Sequence, residues 1–267
     1  MRMKIIYPGL FIGLLILAAV AQWPAAALAP WLESASGGQW RLAAASGTLW
    51  HGGGILLVRT PGGSAWRNIQ SVGWQIRFGE LLRGRFTIDL SPEQGALRLI
   101  ATPGRITAES LDITLPANSI AAFLPGALNR YGWTGMLHGR GKTFSCDWHG
   151  QDCRGDIELL WNDAAVTEIV GPALGDYRVS LTGAGPVLRV AIDTLGGRLQ
   201  IKANGEIGDG GRINLHGEAM TVATPNSVNN ESNENNESLN ALLSTLGSSV
   251  GDGKYRIDYQ EAGVAPR

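Results

Sequence analysis

Gly197-Arg198-Leu199-Gln200-Ile201-Lys202-Ala203 returns fourteen residues later as Gly211-Arg212-Ile213-Asn214-Leu215-His216-Gly217. Each copy reads glycine, arginine, apolar, polar, apolar, polar, small. A period of two places every second side chain on one face, which is the pattern of a strand with one buried side. Two such strands, one hairpin length apart, are neighbours of an antiparallel meander. The repeat occurs once, so no solenoid of fixed period follows from it.

The same alternation recurs along most of the chain. Val72, Trp74 and Ile76 alternate with Gly73, Gln75 and Arg77, and Phe86, Ile88 and Leu90 repeat the pattern. So do Leu97/Leu99, Leu111/Ile113/Leu115, Ile157/Leu159/Trp161 and Val179/Leu181. Thr48 to Val58 reads as one strand, bent or bulged at Gly52-Gly53-Gly54. Glycine makes up 37 of the 267 residues, about twice the usual ~7%. With no Gly-X-Y period, these glycines mark turns and bulges between short strands. Helical spacing is confined to Ile120, Phe123 and Leu124, and to Leu239, Leu242, Leu243 and Leu246, with Ser238 as N-cap and Gly247 as the C′ residue. Tyr255, Ile257 and Tyr259 then alternate with Lys254, Arg256 and Asp258 as a last strand.

Ile5 to Ala21 carries no charge and follows Arg2 and Lys4. Positive charges ahead of an apolar run hold the N-terminus in the cytoplasm, so everything after Ala21 is expected beyond a membrane. The run suits either a cleaved signal peptide or a retained anchor. Ala25/Ala27 and Ala27/Ala29 fit a small-x-small cleavage site. Extension through Gln22 and Trp23 approaches the roughly 20 residues of a spanning helix.

The sequence thus divides into a tip and single anchor over 1–23, an alanine-rich juxtamembrane segment over 24–39 and a β-rich domain over 40–220. An Asn/Ser/Glu linker over 221–238 and a C-terminal helix and strand over 239–267, docked on the β domain, complete it. About 235 residues remain outside the leader, enough for a real core. The fold class expected is mainly β: an N-terminal membrane helix, then a Gly-rich, largely antiparallel, curved or elongated sheet with a few short helices.

Twenty-two basic residues against 23 acidic ones leave a formal charge of −1, which gives no electrostatic basis for binding nucleic acid. Cys146 and Cys153 bracket six residues, Asp147 to Asp152. In an oxidising compartment they read as a local disulfide. A zinc site recruiting His149 and His138, or a pair of free thiols, are the alternatives. Gly141-Lys142-Thr143 lacks the glycine that a phosphate loop requires five positions upstream, since that place holds Met136. Gly183-Ala184-Gly185 runs into Pro186 and reaches Leu188 where a dinucleotide fingerprint needs its third glycine. The carboxylates Asp156, Glu158 and Asp176 have no evident acid/base partner. No catalytic, cofactor-binding or metal residues are assigned, and no enzyme activity is expected. Trp50-His51-Gly52 and Trp148-His149-Gly150 place an indole before a backbone bend, and with Trp74, Trp133 and Trp161 they form the set of packing or interaction aromatics.

Several of these segments together resemble one family. Ser46-Gly47-Thr48-Leu49-Trp50-His51-Gly52 after an N-terminal span resembles the opening of type II secretion system protein N. Gly155-Asp156-Ile157-Glu158-Leu159-Leu160-Trp161 and Leu174-Gly175-Asp176-Tyr177-Arg178-Val179 resemble its middle, and Leu239–Gly247 followed by Asp252-Gly253-Lys254 is similar to its ending. Relative to that pattern, Asn226–Ser238 and the Cys146–Cys153 loop look like insertions. The resemblance implies an uncleaved inner-membrane protein with its N-terminus cytoplasmic and a periplasmic β domain, working with other secretion proteins in export of folded cargo. It carries over no catalytic residues. A one-sided apolar sheet of this kind suits protein contacts, a trough for lipid acyl chains, or a sugar- or cell-wall-binding surface.

Overall fold

The computed structural model describes residues 11–12, 15, 18–59, 65–121, 132–167, 173–208, 212–222, 239, 243–244, 247–251 and 253–261. Its strands are β1 (Trp40–Gly47), β2 (His51–Arg59), β3 (Trp66–Ile76), β4 (Phe86–Pro92), β5 (Gly95–Thr102), β6 (Arg105–Pro116) and β7 (Trp133–Asp147). They continue with β8 (Cys153–Val166), β9 (Gly175–Gly185), β10 (Leu188–Gly197), β11 (Leu199–Gly208), β12 (Arg212–Thr221), β13 (Gly247–Gly251) and β14 (Lys254–Glu261). All belong to one sheet of fourteen strands, ordered β1 through β12, then β14, then β13. Every pairing is antiparallel, and from β1 to β12 each strand bonds its sequence neighbours. At roughly 4.8 Å per strand the sheet is about 60 Å wide. The two repeats that open the sequence analysis are β11 and β12, paired with Lys202 opposite Glu218 and Ala203 opposite Gly217.

Alternation produces one apolar face. Across β6 to β9 it carries the row Leu115, Leu137, Trp161, Tyr177 and the row Ile113, Gly139, Leu159, Val179. Across β9 to β14 it continues as Val179, Ile192, Ala203, Gly217 and Ile257. Two clusters cover parts of this face. The larger gathers Trp133, Leu137, Val166, Leu174, Tyr177, Leu199, Ala203, Ala219, Tyr255 and Ile257 with Leu239 and Leu243, both of which are fully buried. The smaller lies at the β1 end, where helix α1 (Leu28–Ala35) places Leu28, Ala29 and Leu32 against Ala25, Leu42 and Trp74. Helix α1 ends in a Schellman turn, with Gly38 N–H donating to the Glu33 carbonyl at 2.7 Å and Gly37 N–H to the Ser34 carbonyl at 3.1 Å. Pro30 falls in its first turn, where a missing N–H does no harm.

Three expectations change. Thr48 to Val58 is not one strand: Thr48, Leu49 and Trp50 turn the chain between β1 and β2, with Thr48 N–H donating to the His51 carbonyl at 2.9 Å. Gly52-Gly53-Gly54 does not form the bulge. The extra residue lies in β1, between Ala43 and Ser46, where Ala44 takes φ 49°. The glycines instead leave room for their neighbours: a Cβ on Gly52 would meet the Trp74 ring at 2.7 Å, and one on Gly54 would meet Leu42 at 2.8 Å. Gly247 is no helix cap. It opens β13 opposite Ile257, in a Gly-Ser-Ser-Val-Gly strand without apolar alternation. Asn118–Ala121 forms a single helical turn, whereas Phe123 and Leu124, like Asn226–Ser238, Leu242 and Leu246, lie outside the described residues.

Among the described residues no helix is long and apolar enough to cross a membrane, and most of Ile5–Ala21 lies outside them. Phe11, Ile12 and Leu15 are helical and exposed, and Ala18 to Ala21 continue as helix.

Gly155 sets the long β7–β8 pairing. Its φ is 110° where the register slips between Arg140 and Phe144, and a Cβ there would overlap the Thr143 carbonyl oxygen. Gly155→Ala should therefore destabilise this region by about 1–3 kcal/mol. Hydrogen exchange of the full chain is expected to show faster exchange at β7, β8 and β9 amides; unchanged protection there would refute the constraint.

Candidate interaction surface

Hairpin geometry sets where each aromatic points. The indole of Trp74 is buried and donates to the Leu49 carbonyl at 3.0 Å, pinning the β1–β2 turn over β3. Trp50, on that turn, donates to the Val20 carbonyl at 2.7 Å and packs on Phe78 with ring centroids 3.8 Å apart. Trp133 and Trp161 meet edge to face at 5.4 Å, and Trp161 reaches Tyr177 at 5.9 Å. The five predicted aromatics are thus not one platform. Trp133 and Trp161 belong to the larger core, Trp50 and Trp74 to the β1 end, and Trp148 stands exposed on the β7–β8 turn.

That turn is closed by the Cys146–Cys153 disulfide, with Cα atoms 4.1 Å apart on directly paired positions of β7 and β8. Both sulfurs are thereby used, so the zinc alternative with His149 and His138 fails for want of thiolate. His138 instead lies across the sheet against Thr114, ring nitrogen to hydroxyl 2.7 Å. Within the loop, Asp147 Oδ1 accepts the Gln151 N–H at 2.6 Å, and Trp148 Nε1 donates to the Thr102 carbonyl at 2.8 Å. Arg105 Nη2 binds the Asp152 carboxylate. Burial alone would raise the Asp147 carboxyl, but the Gln151 and Asp152 backbone N–H groups outweigh it and hold it below the usual range.

The polar face is laced with cross-strand charge pairs. Arg98 on β5 and Arg77 both hold Asp89 on β4 at 2.6 Å. Arg178 meets Glu158 at 3.2 Å, and His216 meets Asp258 at 2.5 Å. Burial pushes Asp89 up, and the hydrogen bonds from Arg98 and Arg77 more than reverse this, leaving it lowered. Among the described residues, Arg198 has Nε and Nη2 buried without a hydrogen-bond partner, and burial lowers its pKa. Beside it the Tyr177 hydroxyl, raised by burial, donates to the Leu199 carbonyl at 2.9 Å.

The described residues cover the apolar face unevenly. Between the two clusters, Leu97, Leu99, Ala108, Leu111, Ile113, Ile157, Leu181 and Val190 are half-buried and belong to neither. Their alternation showed in the sequence. Their incomplete covering by the described residues did not, because it depends on which strands helix α1, Leu239 and Leu243 reach.

The fold is that of an open, all-antiparallel β-sheet protein, and no cluster of three or more metal-ligating side chains occurs among the described residues. The chain belongs to the family described as type II secretion system (T2SS), protein N, whose signature matches residues 38–258, from just before β1 into β14. No curated relative and no solved structure matches it.

Two outcomes follow from this geometry. Asp89→Asn should lower the melting temperature at neutral pH. The carboxylate's pKa is depressed on folding, so its contribution is present above the ordinary Asp range and is lost as pH falls through the lowered value. The difference between wild type and variant should therefore shrink on acidification; a constant difference would contradict the assignment. Replacing both cysteines by serine should cost no more than about 2–4 kcal/mol, given the short closed loop. Exchange protection is expected to fall at the 144–155 hairpin and to persist at β11–β14.

Proposed function

We propose that this protein is an accessory component of the type II secretion machinery. In this reading an uncleaved N-terminal helix holds it in the inner membrane, N-terminus cytoplasmic, and the β sheet lies in the periplasm. Its work is binding: it contacts other secretion components during export of folded proteins across the outer membrane. Membership of the protein N family carries the reading. The charge-free run Ile5–Ala21 behind Arg2 and Lys4 supports the topology.

The half-buried middle of the apolar face favours a second use of the same sheet. Leu97 and Leu99 of β5, Leu111 and Ile113 of β6, Ile157 of β8 and Leu181 of β9 form a strip across which β7 contributes Gly139 and Gly141, and such a strip suits lipid acyl chains as well as an apolar protein segment. The packing aromatics Trp133 and Trp161 line the covered end of that strip.

Photoreactive residues at Leu111 and Ile157, introduced into the full chain in cells carrying the secretion system, distinguish these uses. Crosslinks to secretion proteins are expected. Crosslinks confined to unrelated proteins would reject the secretion role, and phospholipid adducts would move the weight to the lipid reading.

A further inference from the structure

The β1 end of the sheet carries an exposed apolar patch that the core does not use. Its centre is the loop after β3, where Phe78–Leu81 makes one helical turn and Leu82 follows with 93% of its surface exposed. Phe78, Leu81 and Phe86 are also exposed, and so is Trp23. Scattered single apolar residues on a surface are ordinary, whereas a contiguous group is not.

Hydrogen bonds locate this patch beside the N-terminal segment. The Phe78 ring packs on Trp50, the Trp50 indole donates to the Val20 carbonyl, and the Leu49 N–H donates to the Trp23 carbonyl at 2.7 Å. The loop therefore sits at the level where the helical residues Ala18–Ala21 end. Indoles at that level suit the boundary between hydrocarbon and headgroups. The loop's charge has the matching sign: Arg83 and Arg85 share one carboxylate, Glu80, while Arg77 is held by Asp89. Glu80 is occupied internally, bound by Arg83 at 2.9 Å and Arg85 at 2.5 Å, while Leu82 next to Arg83 stays exposed.

We propose that the 78–82 loop is a second membrane contact, inserting Phe78, Leu81 and Leu82 into the interface of an anionic bilayer while Arg83 and Arg85 meet lipid phosphates. This rests on the reading of Ile5–Ala21 as a membrane anchor. A handful of side chains is small for a stable protein interface, which takes about 800 Å² from each partner. It is ample for interfacial insertion beside an existing anchor, where the effective concentration of bilayer is high. The contact would fix the sheet's β1 end at the membrane, with the opposite edge, β13, farthest from it.

The test uses the full chain in vesicles of phosphatidylethanolamine and phosphatidylglycerol. An environment-sensitive fluorophore is placed in turn at Leu82→Cys, at Leu15→Cys in the apolar run and at Leu195→Cys, exposed near the end of β10. The native cysteines are already joined, so each label is unique. Quenching by nitroxide-bearing lipid several-fold stronger at 82 than at 195 is the expected result. Quenching at 15 but not at 82, with 82 open to aqueous iodide, would overturn the second contact and leave the anchor standing. Quenching at 82 but not at 15 would keep the contact and remove the anchor. Protection of 82 from both quenchers would assign the patch to a protein neighbour and overturn the membrane contact.

Discussion

A single antiparallel sheet must do something with its apolar face. Fourteen strands in one layer present two broad surfaces, and alternation makes one of them apolar along most of its width. Domains ordinarily solve this by stacking a second layer. Among the described residues the second layer is fragmentary: helix α1 over the β1 end, and Leu239 and Leu243 over the far strands. The half-buried middle of the face follows from this limited cover.

The sheet's edges obey the same constraint. An exposed flat edge invites pairing with another chain. At one end the α1 helix and the Trp23–Pro24 segment lie against β1 and its turn, with Pro24 bridging Thr48. At the other end β13 is only Gly247–Gly251, short and serine-bearing. Charge pairs between adjacent strands, such as Arg98–Asp89 and His216–Asp258, stabilise the register on the open polar face. They act one strand pair at a time, so the sheet behaves as a nearly one-dimensional array in which damage stays local.

Much of this architecture was legible in the residues. Alternation at Val72/Trp74/Ile76 or Val179/Leu181 encodes a half-buried strand, and the Gly-Arg repeat correctly indicated neighbouring antiparallel strands. The failures have physical causes. Gly52-Gly53-Gly54 looked like a bulge because glycine permits one, yet those positions are empty to admit Trp74 and Leu42 from adjacent strands, a fact of tertiary contact. Gly247 looked like a helix stop because four leucines precede it at helical spacing. Its role as the start of β13 depends on Arg256 and Ile257 across the ladder. For the candidate site, the aromatics could be named but not grouped, since grouping depends on which hairpin each indole crosses. The Phe78–Leu82 loop drew no notice at all: two leucines and a phenylalanine between arginines match neither strand nor long-helix period.

The strand order at the C-terminal side has a consequence in time. β13 precedes β14 in the chain but bonds only to it, while β14 bonds to β12. Through β12, each strand can pair as soon as it is delivered, N-terminus first. β13 cannot: its partner is the last strand to emerge. Leu239 and Leu243 share a cluster with Tyr255 and Ile257 of that final strand. The cover over the far half of the apolar face therefore closes last, and until residues 254–261 arrive, that half stays open to whatever lies nearby.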